Sequence, residues 1–251
     1  MENIFFFQVK HFHNFGIHRD LTADDRIRLN NIINAYSVAS QIADYSHITR
    51  YNENSTVIDF LNGESRMFKA LIEFLKSVPQ FHELRLVDQI LLVKRNLCVL
   101  NQYHHILISE FHENPLFRHF ISKWVSPTFF RNMSTNRARS NCFMNFPTVL
   151  KLALIVFVFG VNLSSPRSIN DDLFYFDFEK IRSIQNYFLE ILWKYLSYIL
   201  KNEKETQLAM LTIVMQILRY QTLMTEFEDH IWANGRPPVS DPLMESILRL
   251  T

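Results

Sequence analysis

Residues 74–94 read FLKSVPQFHELRLVDQILLVK, two helical patterns joined across a short break. Phe74, Leu75 and Val78 close one amphipathic run. Pro79 disfavours helical geometry at the residue before it, so the first helix is expected to end there. Leu84, Leu86, Ile90, Leu91, Leu92 and Val93 begin the second run, with Asp88 and Gln89 near its start. An acid in a first helical turn suits the positive end of the helix dipole. The residues alone give an apolar helix, a corner and a second apolar helix.

Working outward, the chain has 251 residues, 48% of them hydrophobic, enough to bury a large core as one domain. Only 4 residues are Gly while Leu, Ile and Phe are plentiful, which favours helices over a sandwich with its frequent tight turns. The 23 Phe residues suit either a solid interior or the walls of an apolar cavity. A formal net charge of +1 supplies no basic field for nucleic acid or an anionic membrane. Cys98 and Cys142 read as reduced, buried small hydrophobes in a reducing compartment. Closely spaced Cys pairs are missing, so DNA binding through zinc fingers is not expected of this chain. The opening MENIFFFQVKH lacks the basic start and cleavage site of a signal peptide. The apolar run at 149–163 is interrupted by Lys151 and is too short for a span, so it reads as a buried helix and no membrane partner is expected.

Residues 1–20 read as an N-terminal extension and 21–251 as one domain without internal repeats. Thr22, Asp24 and Asp25 open a first helix that ends near residue 44, and 45–54 read as a loop. A long helix over 56–78 follows, weakened in its first third by Asn62-Gly63. The next, over 87–110, is apolar nearly all round, which suits a central position. Residues 131–141 read as a polar basic loop with solvated arginines. A buried helix at 147–160, a polar turn at 162–172 and long helices at 177–201 and 204–232 complete the body. Ser240-Asp241-Pro242 then starts a short amphipathic helix with Leu243, Met244, Ile247 and Leu248 on one face. A helix this short is unstable alone and must dock on something.

Lys76, Pro79, Phe81, Leu84, Leu86, Asp88, Gln89, Leu91, Leu92 and Lys94 together resemble the motif that marks nuclear receptor ligand-binding domains. In that family this stretch ends helix 3 and crosses into helices 4 and 5. The resemblance covers roughly residues 20–250. It implies an all-α, layered helical fold, with a small β-hairpin where Phe120, Ile121, Trp124 and Val125 stand. It also implies an activation helix at about 241–250 and a nuclear transcription regulator that binds coregulator proteins through LxxLL-type helices. The altered activation helix is similar to divergent members such as the fatty-acid-receptor-like group expanded in nematodes.

Lys76, at a helix C-terminus, is placed to cap the free carbonyls of its own helix or of a partner helix laid across it. The resemblance implies the second use, with Ile72, Leu86, Ile90 and Val93 as an apolar floor and Gln89 on the rim. Active members complete this clamp with a Glu flanked by apolar pairs. Here Ser246 stands in that place, and Glu245 lies about 100° round the helix. Glu245, Ile247 and Leu248 are expected to contribute, with a weak anionic end. Corepressor binding or a silent state therefore gains weight over ligand-driven coactivator recruitment.

The implied ligand pocket would be lined by Met67, Leu71, Leu100, His104, Leu107, Leu154, Met215 and Leu218. Fatty-acid and retinoid receptors often place an Arg near the end of helix 5, whereas residues 107–110 here hold none and end in Glu110. A buried acid repels a carboxylate, so a neutral lipid-like ligand or a filled pocket is expected. The implied dimer surface, for a homodimer or a heterodimer with other receptors, is bordered by Gln207, Gln216, Arg219 and Glu226. His104, His105, His112, His119, Glu110 and Glu113 are potential metal ligands without an HExxH arrangement. No Gly-rich phosphate loop, GxSxG elbow or Cys-His pair occurs, so neither an enzyme nor a cofactor or metal is expected. Two further functions stay open: a dimer partner lacking DNA binding that titrates other receptors, and a lipid-binding protein.

Overall fold

The computed structural model describes residues 21–42, 45–46, 50–52, 54–108, 122–160, 177–233 and 241–247, and these form an all-α fold. The first two helices begin with reciprocal caps. In α1 (Ala23–Ile42), Thr22 Oγ1 accepts from the Asp25 backbone N–H at 3.1 Å while Asp25 accepts from the Thr22 N–H at 3.1 Å. In α2 (Val57–Lys76), Thr56 and Asp59 make the same exchange, satisfying amides that the helix start would otherwise leave open. Such a cap contributes about 1 kcal/mol, similar to the cost of one helical glycine, and Asn62-Gly63 lies within an unbroken helix.

The corner is built from side chains that answer its free backbone groups. The Ser77 hydroxyl donates to the Glu73 carbonyl at 2.9 Å, and a His82 ring nitrogen bonds the Lys76 carbonyl. Pro79 takes the first position of the single-turn α3 (Pro79–His82), where its missing N–H costs nothing. Arg85 then grips the wholly buried Asp88 with two bonds of 2.7 and 3.0 Å at the start of α4 (Leu86–Leu107). The Gln89 amide donates to the Leu84 carbonyl at 2.9 Å.

Beyond lie α5 (Pro127–Ser140), a 3-10 turn (Asn141–Phe143), α6 (Pro147–Val158), α7 (Phe178–Leu200), α8 (Glu203–Ala233) and α9 (Pro242–Ile247). Helix α6 is buried on every side after exposed Pro147, apart from half-buried Lys151, and α4, α7 and α1 pack around it. That placement explains its continuous apolar sequence, since a helix covered all round has no polar face to spare. Helix α8 packs against α5, α7 and α4, and α9 lies on α2 and α4. Rings of Phe159 and Phe188, and of Phe129 and Phe227, stack across these contacts at 6.0 and 5.8 Å.

Three expectations fail. Residues 131–141 are not a loop: Ser126 caps Phe129 N at 2.9 Å, Pro127 begins the helix, and residues 127–140 are α-helical. The helix hides its polarity because Asn136 and Ser140 face inward, where Asn136 bonds Gln102 at 2.7 Å and Gln102 bonds Ser140 at 3.1 Å. The hairpin is replaced by helical turn at Trp124, and no strand occurs among the described residues. Cys142 is exposed rather than buried, because the 3-10 turn points it outward, while Cys98 is half-buried. The N-terminal extension, Phe120, Ile121, Glu110, His112, Glu113, His119, the turn at 162–172 and Leu248 lie outside the described residues. No single described helix is long and apolar enough to cross a membrane.

Candidate functional site

The first turns of α4 carry large apolar side chains that are exposed among the described residues. Leu86 is 70% exposed and Ile90 45%, with Val87 beside them. Exposed apolar groups are common singly, but three on adjoining turns form a patch. Ile72 and Val93, both half-buried, continue it toward the core against which they pack. The Arg85–Asp88 and Gln89–Leu84 bonds fix the backbone under this patch. Gln89 is half-buried and its amide nitrogen is committed to that corner.

Lys76 stands exposed at the end of α2, with Nζ 2.8 Å from Glu73 Oε1. The pair is surface-exposed on both sides, so it costs little to open, about 0–1 kcal/mol. The last carbonyls of α2 are held by Ser77 and His82, which leaves the lysine out of its own helix cap.

Helix α9 docks on α2 and α4 through buried Met244, with Leu243 packed against the core. Asp241 Oδ1 accepts from the backbone N–H of Leu243 at 2.9 Å and Met244 at 3.4 Å. Its other oxygen lies 3.0 Å from Lys69 Nζ. Burial pushes the Asp241 carboxyl up, but hydrogen bonds from Lys69, Ser65 and the two backbone amides outweigh it and hold the group below its ordinary value. Ser246 is half-buried. The side chains of Glu245 and Ile247 lie outside the described set.

Of the expected pocket residues, Met67, Leu71, Leu100, His104 and Leu154 are buried, and Leu107 and Leu218 are half-buried. Met215 is a correction: it is 38% exposed on the outer face of α8, so it lines no interior site. His104 accepts or donates through Nδ1 to the Tyr36 hydroxyl at 2.7 Å and through Nε2 to Tyr45 at 3.3 Å. Burial, with His105 adding to it, pushes His104 down to about 3, so it is neutral.

The interior also holds a group that sequence reasoning missed. Glu64, 4% exposed on α2, accepts from Asn101 Nδ2 at 2.6 Å, and its Oε2 lies 2.9 Å from His105 Nε2. Asn101 is 6% exposed, and its Oδ1 has no hydrogen-bond partner among the described residues. Burial first, and the Glu64 charge second, raise the Tyr220 hydroxyl of α8 above its ordinary value. A signal was present: Leu61, Glu64, Phe68, Leu71 and Leu75 recur at helical spacing, which puts Glu64 on the apolar stripe.

On α8, Gln207, Arg219 and Glu226 are exposed. Gln216 is a second correction. It is 3% exposed, because its position turns toward α5, where its carbonyl accepts from Asn136 at 3.3 Å. The outward face instead shows Leu208, Leu211 and Met215. No group of three or more His, Cys, Asp or Glu is placed to hold a metal among the described residues. No protein-family model matches the chain, and no curated protein matches it.

Proposed function

We propose that this chain is a transcription-regulator domain of the nuclear receptor ligand-binding type, acting in the nucleus through partner proteins whose short amphipathic helices it binds. The observation that carries the reading is the exposed trio Leu86, Val87 and Ile90 on the first turns of α4, with Lys76 exposed at the end of α2 and α9 docked on these same two helices. A partner helix of LxxLL type would lay its leucines on this floor and direct its free C-terminal carbonyls at Lys76. Met244 docking supplies the dependence on state, because a six-residue helix holds its place only by its contacts. The interior between α2 and α4 would hold a small apolar ligand that biases that docking. Hydrogen exchange with an LxxLL peptide tests the reading: protection gained over residues 72–93 supports it, and protection gained elsewhere alone refutes it.

A second reading, a dimer partner, is favoured by the face of α8. Lys204, Met215 and Glu226 recur every eleven residues, as do Leu208 with Arg219 and Leu211 with Thr222. That period keeps one stripe on one side of a nearly straight helix. An antiparallel second copy would pair the Lys204 end with the Glu226 end. Sedimentation decides: Met215→Glu should turn a dimer into a monomer, and a wild-type chain that is monomeric at tens of micromolar removes this reading.

A further inference from the structure

Helix α5 carries its charge on the side away from the core. Residues 114–170 hold seven of the chain's 26 Lys and Arg and none of its 25 Asp and Glu, which leaves the remainder with an excess of acid. Three of those arginines lie on α5. Phe129, Phe130, Asn136 and Ser140 face inward, and the bonds to Gln102 and Gln216 hold the helix by that side. Arg131, Thr135 and Arg139 follow one another at four-residue steps and are all exposed. That spacing makes them one row, with the two arginines rooted about 12 Å apart along the axis. Arg137 is half-buried and sits off the row, near enough to Tyr220 for its charge to act on that hydroxyl.

Among the described residues nothing answers this row. No ion pair there involves Arg131, Arg137 or Arg139, and exposed Glu226, on the helix packed against α5, pairs with none of them. Thr135 points the same way. Thr206, Thr212, Thr222 and Thr225 return their hydroxyls to the carbonyl four residues back at 2.8 to 3.2 Å, a common resting place in a helix. Thr135 makes no such bond among the described residues and keeps its donor free. An arginine in a last turn suits the negative end of its helix, which accounts for Arg139 but not for Arg131 in the second turn.

We propose that the row Arg131, Thr135 and Arg139 is a docking surface for an acidic segment of a partner protein, with a carboxylate on each guanidinium group and the Thr135 hydroxyl donating between them. This goes beyond the helix groove on α4 and does not rest on it. Arginine suits the task because its planar fork meets a carboxylate with two parallel bonds. An extended segment rises about 3.3 Å per residue, so acids four apart span the two arginines. Nucleic acid fits less well, because its phosphates run on past the row and the excess of acid elsewhere in the chain repels a long polyanion.

The test is fluorescence anisotropy with the full chain at about 50 mM salt, where surface charge is least screened. The probes are a labelled peptide of alternating Glu and Ser, its Gln counterpart, and a labelled oligothymidylate of similar length. The Glu peptide is expected to bind, about tenfold more weakly at roughly 300 mM salt, and the Gln peptide not to bind. Arg131→Gln combined with Arg139→Gln should weaken the Glu peptide about tenfold, whereas Arg182→Gln, at an exposed arginine of α7, should leave it unchanged. Equal affinity of wild type and double variant, or no binding of the Glu peptide by the wild type, overturns the proposal. Equal affinity of the Gln and Glu peptides overturns it with no variant at all. Tighter binding of the oligonucleotide, lost in the same double variant, overturns the choice of partner. An LxxLL peptide should bind wild type and double variant alike, so the failure of either site leaves the other standing.

Discussion

Lys69 Nζ lies 3.0 Å from Asp241 Oδ2, joining the middle of α2 to the start of the last short helix. The same carboxylate caps the Leu243 and Met244 amides, so one side chain both begins α9 and ties it down. Docking of α9 on α2 and α4 therefore depends on a group that titrates.

The sign of that dependence follows from Asp241 being held below 3.8. A depressed carboxyl stabilises the docked state fully above its unfolded pKa, and the contribution fades as pH falls through the lower folded value. Hydrogen exchange over residues 242–247 should stay slow down to about pH 4 and rise below it. Lys69→Met should move that rise to higher pH. At neutral pH it should cost only about 0–1 kcal/mol of local stability, because the lysine is largely exposed.

His104 sets a second acid sensitivity, in the core. Its folded pKa of about 3 is below the unfolded 6.5, so stability is complete above pH 6.5 and falls as pH drops toward 3. Between pH 7 and 5 the loss should be about 2 kcal/mol, from roughly 1.4 kcal/mol per unit below 6.5. His104→Gln keeps a partner for Tyr36 and removes the titration. Urea unfolding at the two pH values should show that share of the difference vanish in the variant.

Lys201 ends α7 in the left-handed region, at φ 54, with its N–H bonded to Ser197 O at 3.0 Å. A side chain there crowds its own backbone, and glycine removes the crowding. Lys201→Gly should stabilise by about 0.5–1 kcal/mol, raising the melting temperature by about 1–4 °C in calorimetry.

How legible these features were depended on which way polar residues turned. The residues over 152–158 read as a buried helix, since nothing after Lys151 asked for water. The Thr22–Asp25 and Thr56 starts were readable in the same direct way. Helix α5 was hidden because Asn136 and Ser140 spend their polarity on Gln102 inside the fold, so a buried face looked like a wet loop. Gln216 misled for the converse reason, as a polar residue read outward on a helix whose outer face is Leu208, Leu211 and Met215. Glu64 went unremarked although its place in the apolar stripe pointed inward. The patch at Leu86 and Ile90 was named as a floor, but whether the chain itself covered it was a matter of tertiary packing.

In the proposed groove Lys76 would supply the charged end, and Glu73, 2.8 Å away, competes for it. Glu73→Ala frees the ammonium, and affinity for an LxxLL peptide should rise by about two- to fivefold, the worth of an exposed ion pair. Lys76→Ala should lower it by a similar factor, with unchanged thermal stability in both variants.

The most direct measurement is an anisotropy titration of a labelled LxxLL peptide into the wild type and into Leu86→Arg. Leu86 is 70% exposed, so the substitution leaves the fold intact and alters only the floor. Saturable wild-type binding, weakened at least about tenfold in Leu86→Arg, is the predicted result. Equal affinity in the two proteins, or no binding by the wild type, would contradict it.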